Sequence, residues 1–99
     1  VFMPYVLKKN KSAIEERIIS LSRYINLTNP SFDSFMKWIL DLRKDLKIPH
    51  TLKDLINDNS KFEEMSIMAL NDPSTGGNPI SLTEKDFLKL YNDSYEGIL

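Results

Sequence analysis

The stretch SFDSFMKWILDLRKDL, Ser31 to Leu46, decides the fold class. Phe32, Phe35, Met36, Ile39, Leu40, Leu42 and Leu46 recur three and four residues apart, while Lys37, Asp41, Arg43, Lys44 and Asp45 fall largely on the other side. Apolar residues at that spacing form one broad stripe on a helix. The segment begins at Pro30 or Ser31 and is the most hydrophobic of the chain, so it is expected to be the central helix. Trp38 lies off the stripe and is expected to pack on a neighbour. Ile48-Pro49 stops the helix, because the residue before a proline is pushed out of the α region. The run Arg43-Lys44-Asp45 reads as a solvated helix face.

Working outward, Ser12-Ala13-Ile14-Glu15 has the spacing of a capping box, with Ile14, Ile18, Leu21 and Ile25 behind it. That predicts a helix over 12–25. Asn26 to Pro30 breaks it. Thr51 to Ile56 reads as a short helical turn, with Thr51 and Asp54 at capping distance. Ser60-Lys61-Phe62-Glu63 is a second candidate capping box, opening a helix over 60–71 with Phe62, Met65, Met68 and Ala69 inward. Thr83 is expected to cap a helix over 84–96 with Asp86 at its third position, Leu82 stapled on Phe87, and Phe87, Leu90 and Tyr91 inward. No segment alternates with period two over a strand's length. The expectation is an all-α fold, a small bundle of about four to five helices in one domain over 1–99.

Composition excludes several roles. Thirteen basic residues against fourteen acidic give a net charge of -1, which is no footprint for nucleic acid. Cysteine is absent, so there is no disulfide framework and no thiolate nucleophile, and a cytoplasmic, reducing setting is expected. No apolar run approaches the roughly 18 residues that span a bilayer, so no membrane partner is expected. The chain opens on Val1 inside an apolar run, from which we expect that a longer protein precedes it.

The catalytic inventory is nearly empty. His50 is the one histidine, it follows Ile48-Pro49 in a turn, and only Asp54 stands at a spacing that could help it hold a metal. It reads as a surface residue that packs locally. The chemistry concentrates instead in Asn71-Asp72-Pro73-Ser74-Thr75-Gly76-Gly77-Asn78-Pro79, which holds two of the three glycines and two of the five prolines. Asp72-Pro73 favours a turn. Gly76 and Gly77 permit a positive φ or a close approach of the backbone to another group, and Asn78 before Pro79 should be extended. Such a loop serves either as a plain connector or as a surface offering amides and hydroxyls to a ligand. Composition alone leaves both open.

Taken together, these segments resemble the C-terminal helical domain of the iron-containing (group III) alcohol dehydrogenases. Met3-Pro4-Tyr5-Val6-Leu7 followed by Asn10 is similar to the family's apolar-Pro-His-Val segment ending in asparagine. Ser12 to Glu16 resembles its next helix start. Leu42, Leu46, Ile48 and Pro49 resemble a leucine-rich helix ending in glycine-Ile-Pro, with Lys47 where glycine is common. Met68-Ala69 followed by Asp72 to Pro79 resembles the family's C-terminal signature, and Leu82-Thr83, Asp86 and Leu90-Tyr91 resemble its closing helix.

The resemblance implies a two-domain oxidoreductase. An N-terminal α/β domain would hold NAD(P), a divalent metal (iron, sometimes zinc) would bind the alcohol oxygen, and hydride would pass to or from the nicotinamide. The family's four metal ligands precede the segment that opens this chain, and the cofactor-binding glycine loops lie earlier still. None can be placed here, and Tyr5 stands where the family has a histidine that is not a ligand. The chain is therefore expected to hold no catalytic residue, no metal and no cofactor by itself, and to be inactive alone. Its expected partners are the α/β portion of the same enzyme and a further copy of itself. By resemblance, Ser74 and Thr75 face the cofactor–substrate cleft, while Gly76, Gly77 and Asn78 shape the loop; Ser74 replaces a cysteine found in some members. An alternative is a stand-alone helical interaction module that docks on an α/β partner or self-associates.

Overall fold

The structure, a computed structural model, describes residues 1–99 and contains four α-helices and no strand. The central segment forms α2, Phe32–Asp45. Ser31 is extended; its Oγ accepts from the Ser34 amide at 3.0 Å, and the Ser34 Oγ accepts from the Ser31 amide at 3.0 Å. Two amides left unpaired at the helix start are thereby satisfied. Phe32, Phe35 and Ile39 turn inward against Ile18 of the first helix, α1 (Met3–Tyr24), with Leu7, Ile14, Ile25, Leu27 and Met36 packed around them. Leu42 and Leu46, also expected inside, are 41% and 61% exposed. The apolar stripe is wider than its cover, because α1 is the main helix packed on α2. Trp38 packs on the Phe35 ring at 5.7 Å.

α1 spans Met3–Tyr24, so the expected start at Ser12 is wrong. Pro4 sits in the first turn, where its missing N–H costs nothing. The helix is already formed when it reaches Ser12, whose side chain stays exposed.

The second half packs α3, Phe62–Leu70, against α4, Glu84–Glu96. The box expected at Ser60 does not form. The Ser60 amide and hydroxyl both donate to the Asp58 carboxylate, at 2.9 and 2.6 Å, so the local turn takes the group that would have capped the helix. Phe62 is buried as expected, but Met68 is 66% exposed, and Ser66 is fully buried on the inner face instead. The Ser66 hydroxyl donates to the Phe62 carbonyl at 2.6 Å, which satisfies it in an apolar setting. Phe62 stacks on Tyr91 at 5.5 Å and meets Tyr95 edge-on at 5.6 Å, while Phe2 meets Tyr91 edge-on at 5.6 Å. This row of rings ties the start of α1 to α4 and α3. The α4 cap forms as expected: the Thr83 amide and hydroxyl donate to the Asp86 carboxylate, each at 2.8 Å. The Thr51 hydroxyl likewise donates to Asp54, at 3.1 Å.

Three helices end alike. Asn26, Lys47 and Gly97 take φ of 58°, 56° and 77°, and the next residue's amide returns to a carbonyl of the last turn (Leu27 to Ser22, Ile48 to Arg43, Ile98 to Asp93). This left-handed ending favours glycine. Lys47 therefore carries backbone strain at the position where the resembling family commonly has glycine.

Arg43 overturns the reading of a solvated charge run. It is 5% exposed. Its guanidinium donates to the Val1 carbonyl at 3.1 Å and the Pro49 carbonyl at 2.9 Å, and lies 3.3 Å from His50 Nδ1. The Tyr5 hydroxyl donates to the His50 carbonyl at 2.7 Å, and burial pushes that phenol's pKa up. His50 itself is exposed and packs locally, as its place in a turn suggested.

Candidate functional site

The loop between α3 and α4 is built from the aspartate outward. The Asp72 carboxylate accepts from the Ser74 amide at 2.8 Å and from the Ser74 hydroxyl. These two donors hold its pKa below the usual carboxylate range. The chain then makes one tight 3-10 turn, Pro73–Gly77, and the Thr75 hydroxyl donates to the Ala69 carbonyl, bringing the turn back onto α3. Asn78 is extended before Pro79, as the proline requires.

Asn78 fixes the far end. Its Nδ2 donates to the Ile80 carbonyl at 2.7 Å and to Asn10 Oδ1 at 2.9 Å, and its Oδ1 accepts from Asn10 Nδ2 at 2.8 Å. Asn10 is 4% exposed and Asn78 half-buried, so the Asn10 side of this two-way amide pair is shielded from water. Beside it Lys9 donates to Asp86 at 2.6 Å. That contact, with the Thr83 donors, lowers the Asp86 pKa to about 2.

Between loop, α1 and α4 lies a pocket of about 420 Å³. Ser74, Thr75, Gly77, Asn78 and Pro79 form one wall. Phe2, just before α1, and Val6 in its first turn form another, and Leu82, Phe87, Leu90 and Tyr91 close it. Four of the five expected loop residues thus line one cavity; Gly76 does not. No charged side chain lines it.

Two readings of the loop narrow. Neither Gly76 nor Gly77 has a positive φ, and a Cβ added to either would meet nothing within 4 Å. Within this chain neither glycine is required by backbone conformation or by crowding. The hydroxyls are also not free donors: Ser74 gives its proton to Asp72 and Thr75 to Ala69, so each offers a ligand only oxygen lone pairs.

No group of three His, Asp or Glu side chains converges anywhere in the chain. The residues present therefore do not make a metal-holding set, and His50 stands apart from the pocket. Sequence reasoning missed Asn10 as the partner of Asn78. The one available signal was its register, since Phe2, Val6 and Asn10 repeat every four residues along one helix face.

The chain is thus an all-helical unit whose α3–α4 loop borders an uncharged pocket. Residues 1–95 match the Fe-containing alcohol dehydrogenase family, C-terminal part, and the chain belongs to that family. Among curated proteins it is similar to the NADPH-dependent butanol dehydrogenase of Clostridium saccharobutylicum, with 30% identity over 98% of this chain. The chain spans about a quarter of that relative's length (27%). No helix is long and apolar enough to cross a membrane.

Proposed function

We propose that this chain supplies the C-terminal helical part of an iron-containing, nicotinamide-dependent alcohol dehydrogenase, and that the loop of Ser74 to Asn78 is one lip of its cleft. The observation that carries the reading is the shared pocket: Ser74, Thr75, Gly77 and Asn78 stand together over apolar side chains of α1 and α4. The two glycines add support, because their bare surface serves nothing inside the chain and suits close approach by a group from outside it. The pocket wall is uncharged, so it suits the carboxamide end of a nicotinamide or an alkyl chain and not a phosphate. The NADPH-dependent relative favours the phosphorylated cofactor.

In the complete enzyme a bound divalent metal and nicotinamide supply alcohol polarisation and hydride transfer. This chain's residues contribute position and exclusion of water. Phe2, Val6, Leu82 and Phe87 keep water from the floor of the pocket, and the Ser74 and Thr75 oxygens accept hydrogen bonds at its rim. The metal and the tight hold on the cofactor lie in the α/β portion of the enzyme and the segment that joins it to this one, so the chain alone has no turnover and meets NADPH only weakly, at millimolar concentration. The setting is cytoplasmic, consistent with the absence of cysteine, and a homo-oligomer is the expected assembly.

A second reading, a helical module that docks on an α/β partner or on a second copy, draws on the exposed Ile67, Met68 and Leu70 of α3. Sedimentation at high concentration tests self-association, and a strict monomer removes that branch. For the main reading, the purified chain is incubated with ferrous iron or zinc, NADPH and butanol. No turnover is expected, and turnover above background overturns the assignment of catalysis to the missing portion. In parallel, millimolar NADPH is titrated into the labelled chain. Amide shifts confined to Ser74–Asn78 and the pocket wall are expected; shifts elsewhere, or none, overturn the loop's placement at the cofactor.

A further inference from the structure

We infer that Asn10 is the positioning residue of the loop: its two-way amide pair with Asn78 sets where Ser74 to Gly77 stand over the pocket. The inference rests on the cleft reading above and says what holds the lip in place. Three observations carry it. The pair joins residues 68 apart in sequence, so nothing local brings them together. It is reciprocal, at 2.8 and 2.9 Å, which fixes rotation as well as distance. Asn10 also lies one helical repeat beyond Val6 and two beyond Phe2, the residues at the start of α1 that line the pocket, so the clasp and the wall share one rigid face.

The rest of the loop lacks such a fastening to α1. The bonds of Ser74 go to Asp72 and that of Thr75 to Ala69, both within the α3 side of the turn. The Lys9–Asp86 pair ties α1 to α4, not to the loop. Without Asn10 the turn keeps its own shape, but no other hydrogen bond joins it to α1 beside Phe2 and Val6. Asn78 also holds the Ile80 carbonyl, so the clasp passes its constraint along the chain toward the α4 cap.

The test uses the chemistry of the amide. A neutral carboxyl is nearly isosteric with a carboxamide, accepting through one oxygen and donating through the other. In Asn10→Asp the ionised carboxylate accepts from Asn78 Nδ2 but faces Asn78 Oδ1 with a second acceptor, and the pair opens. On acidification the protonated carboxyl restores both bonds. The charged groups around it are Lys9 and Asp86 on one side of α1 and Lys11 with Glu15 and Asp33 on the other; the segment from Pro73 to Thr83 carries no titratable side chain. Asp86 keeps its charge down to about pH 2, and the Asp72 carboxylate at the base of the loop is also held below the usual range by Ser74, so both stay ionised where a carboxyl at position 10 takes up its proton.

The chain is labelled and compared with Asn10→Asp and Asn10→Ala by NMR. At neutral pH both variants should shift the Gly76, Gly77 and Asn78 amides and speed their hydrogen exchange about tenfold, as loss of a partly buried amide pair implies. Helices α2 and α3 should be unmoved. As the pH falls, the loop signals of Asn10→Asp alone should return to the native positions. Native-like loop signals in Asn10→Ala, or no acid recovery in Asn10→Asp, overturn the inference. If the variants fail to fold, the side-chain amides of the native chain decide: the Asn10 and Asn78 NH2 signals must exchange slowly, and exchange as fast as a free amide overturns it. NADPH addition separates the two ideas. If the native chain shows no cofactor shifts, the cleft reading fails while the clasp is still judged by exchange and acid recovery. If cofactor shifts persist unchanged in Asn10→Ala with the loop displaced, the clasp does not position the lip.

Discussion

The pair α1–α2 and the pair α3–α4 are both packed helices joined by a connection, and they are held in different ways. The first closes over Ile18, Phe32, Phe35 and Ile39, and its connection is a left-handed ending at Asn26 and a serine cap at Ser31. The second closes over stacked rings, and its connection carries the pocket. Apolar burial suffices where two helices need only to meet. Where a loop must stand at a set place over a cavity, the chain adds a directional polar tie to a distant helix, Asn10 to Asn78, and beside it Lys9 to Asp86 ties that helix to α4.

Breaking each core tests whether the two halves are separable. Phe62→Ala removes a ring that is 2% exposed and touches both Tyr91 and Tyr95. It should cost about 3–5 kcal/mol in urea unfolding, with hydrogen exchange rising first in α3 and α4. Phe35→Ala, 6% exposed, should cost a similar amount with exchange rising first in α1 and α2. Equal loss of protection across all four helices in both variants would show one core and dissolve the comparison.

The joint between α2, the start of α1 and the turn at His50 comes next in size. Arg43→Ala leaves the Val1 and Pro49 carbonyls without their donor and opens space beneath His50. A loss of about 2 kcal/mol is expected, since buried acceptors are left unpaired. Tyr5→Phe, which removes only the bond to the His50 carbonyl, should cost about 1 kcal/mol. If Arg43→Ala is silent in thermal melts, the buried guanidinium is not what joins α2 to the start of α1.

What was legible in the sequence divides along the same line. Local signals held: the helical spacing of α2, the Thr83–Asp86 cap, and the extended Asn78 before its proline. Failures came where a distant or competing group decides. Ser12 has a capping-box pattern, but a helix already running from Met3 does not need a cap. Ser60 has one too, but Asp58 reaches its amide and hydroxyl first. Arg43 looks solvated because the carbonyls that receive it belong to Val1 and Pro49, and the partner of Asn78 is 68 residues away. No local pattern encodes such pairs.

The helix endings sharpen the comparison at smaller energies. Gly97→Ala places a Cβ on a left-handed residue, 2.9 Å from Thr51 Cγ2, and should cost about 1–2 kcal/mol. Lys47→Gly should act oppositely. Relief of the same backbone strain at the end of α2 should gain about 0.5–1 kcal/mol, measured as a rise in the urea midpoint with unchanged slope. A loss there would mean that the lysine side chain contributes more than its backbone costs.

The smallest effect distinguishes the halves by acid. The carboxylates whose pKa is held low are Asp58, Asp72 and Asp86, and all three lie beyond α2. For Asp86 the causes are the Lys9 contact first, then the Thr83 amide and hydroxyl. Its pKa falls from 3.8 unfolded to about 2 folded. The sign follows: a carboxylate that binds its proton less readily when folded stabilises the fold above the unfolded value, and that contribution disappears as pH falls through about 2. Between those values the start of α4 should loosen while α2 keeps its protection, and added salt should reduce the effect because the pair is partly exposed. Asp86→Asn should flatten the slope in this window and lower stability slightly at neutral pH. An α2 that opens as early as α4 on acidification would mean that the polar ties hold both halves alike, and the distinction between a packed half and a tethered half would fail.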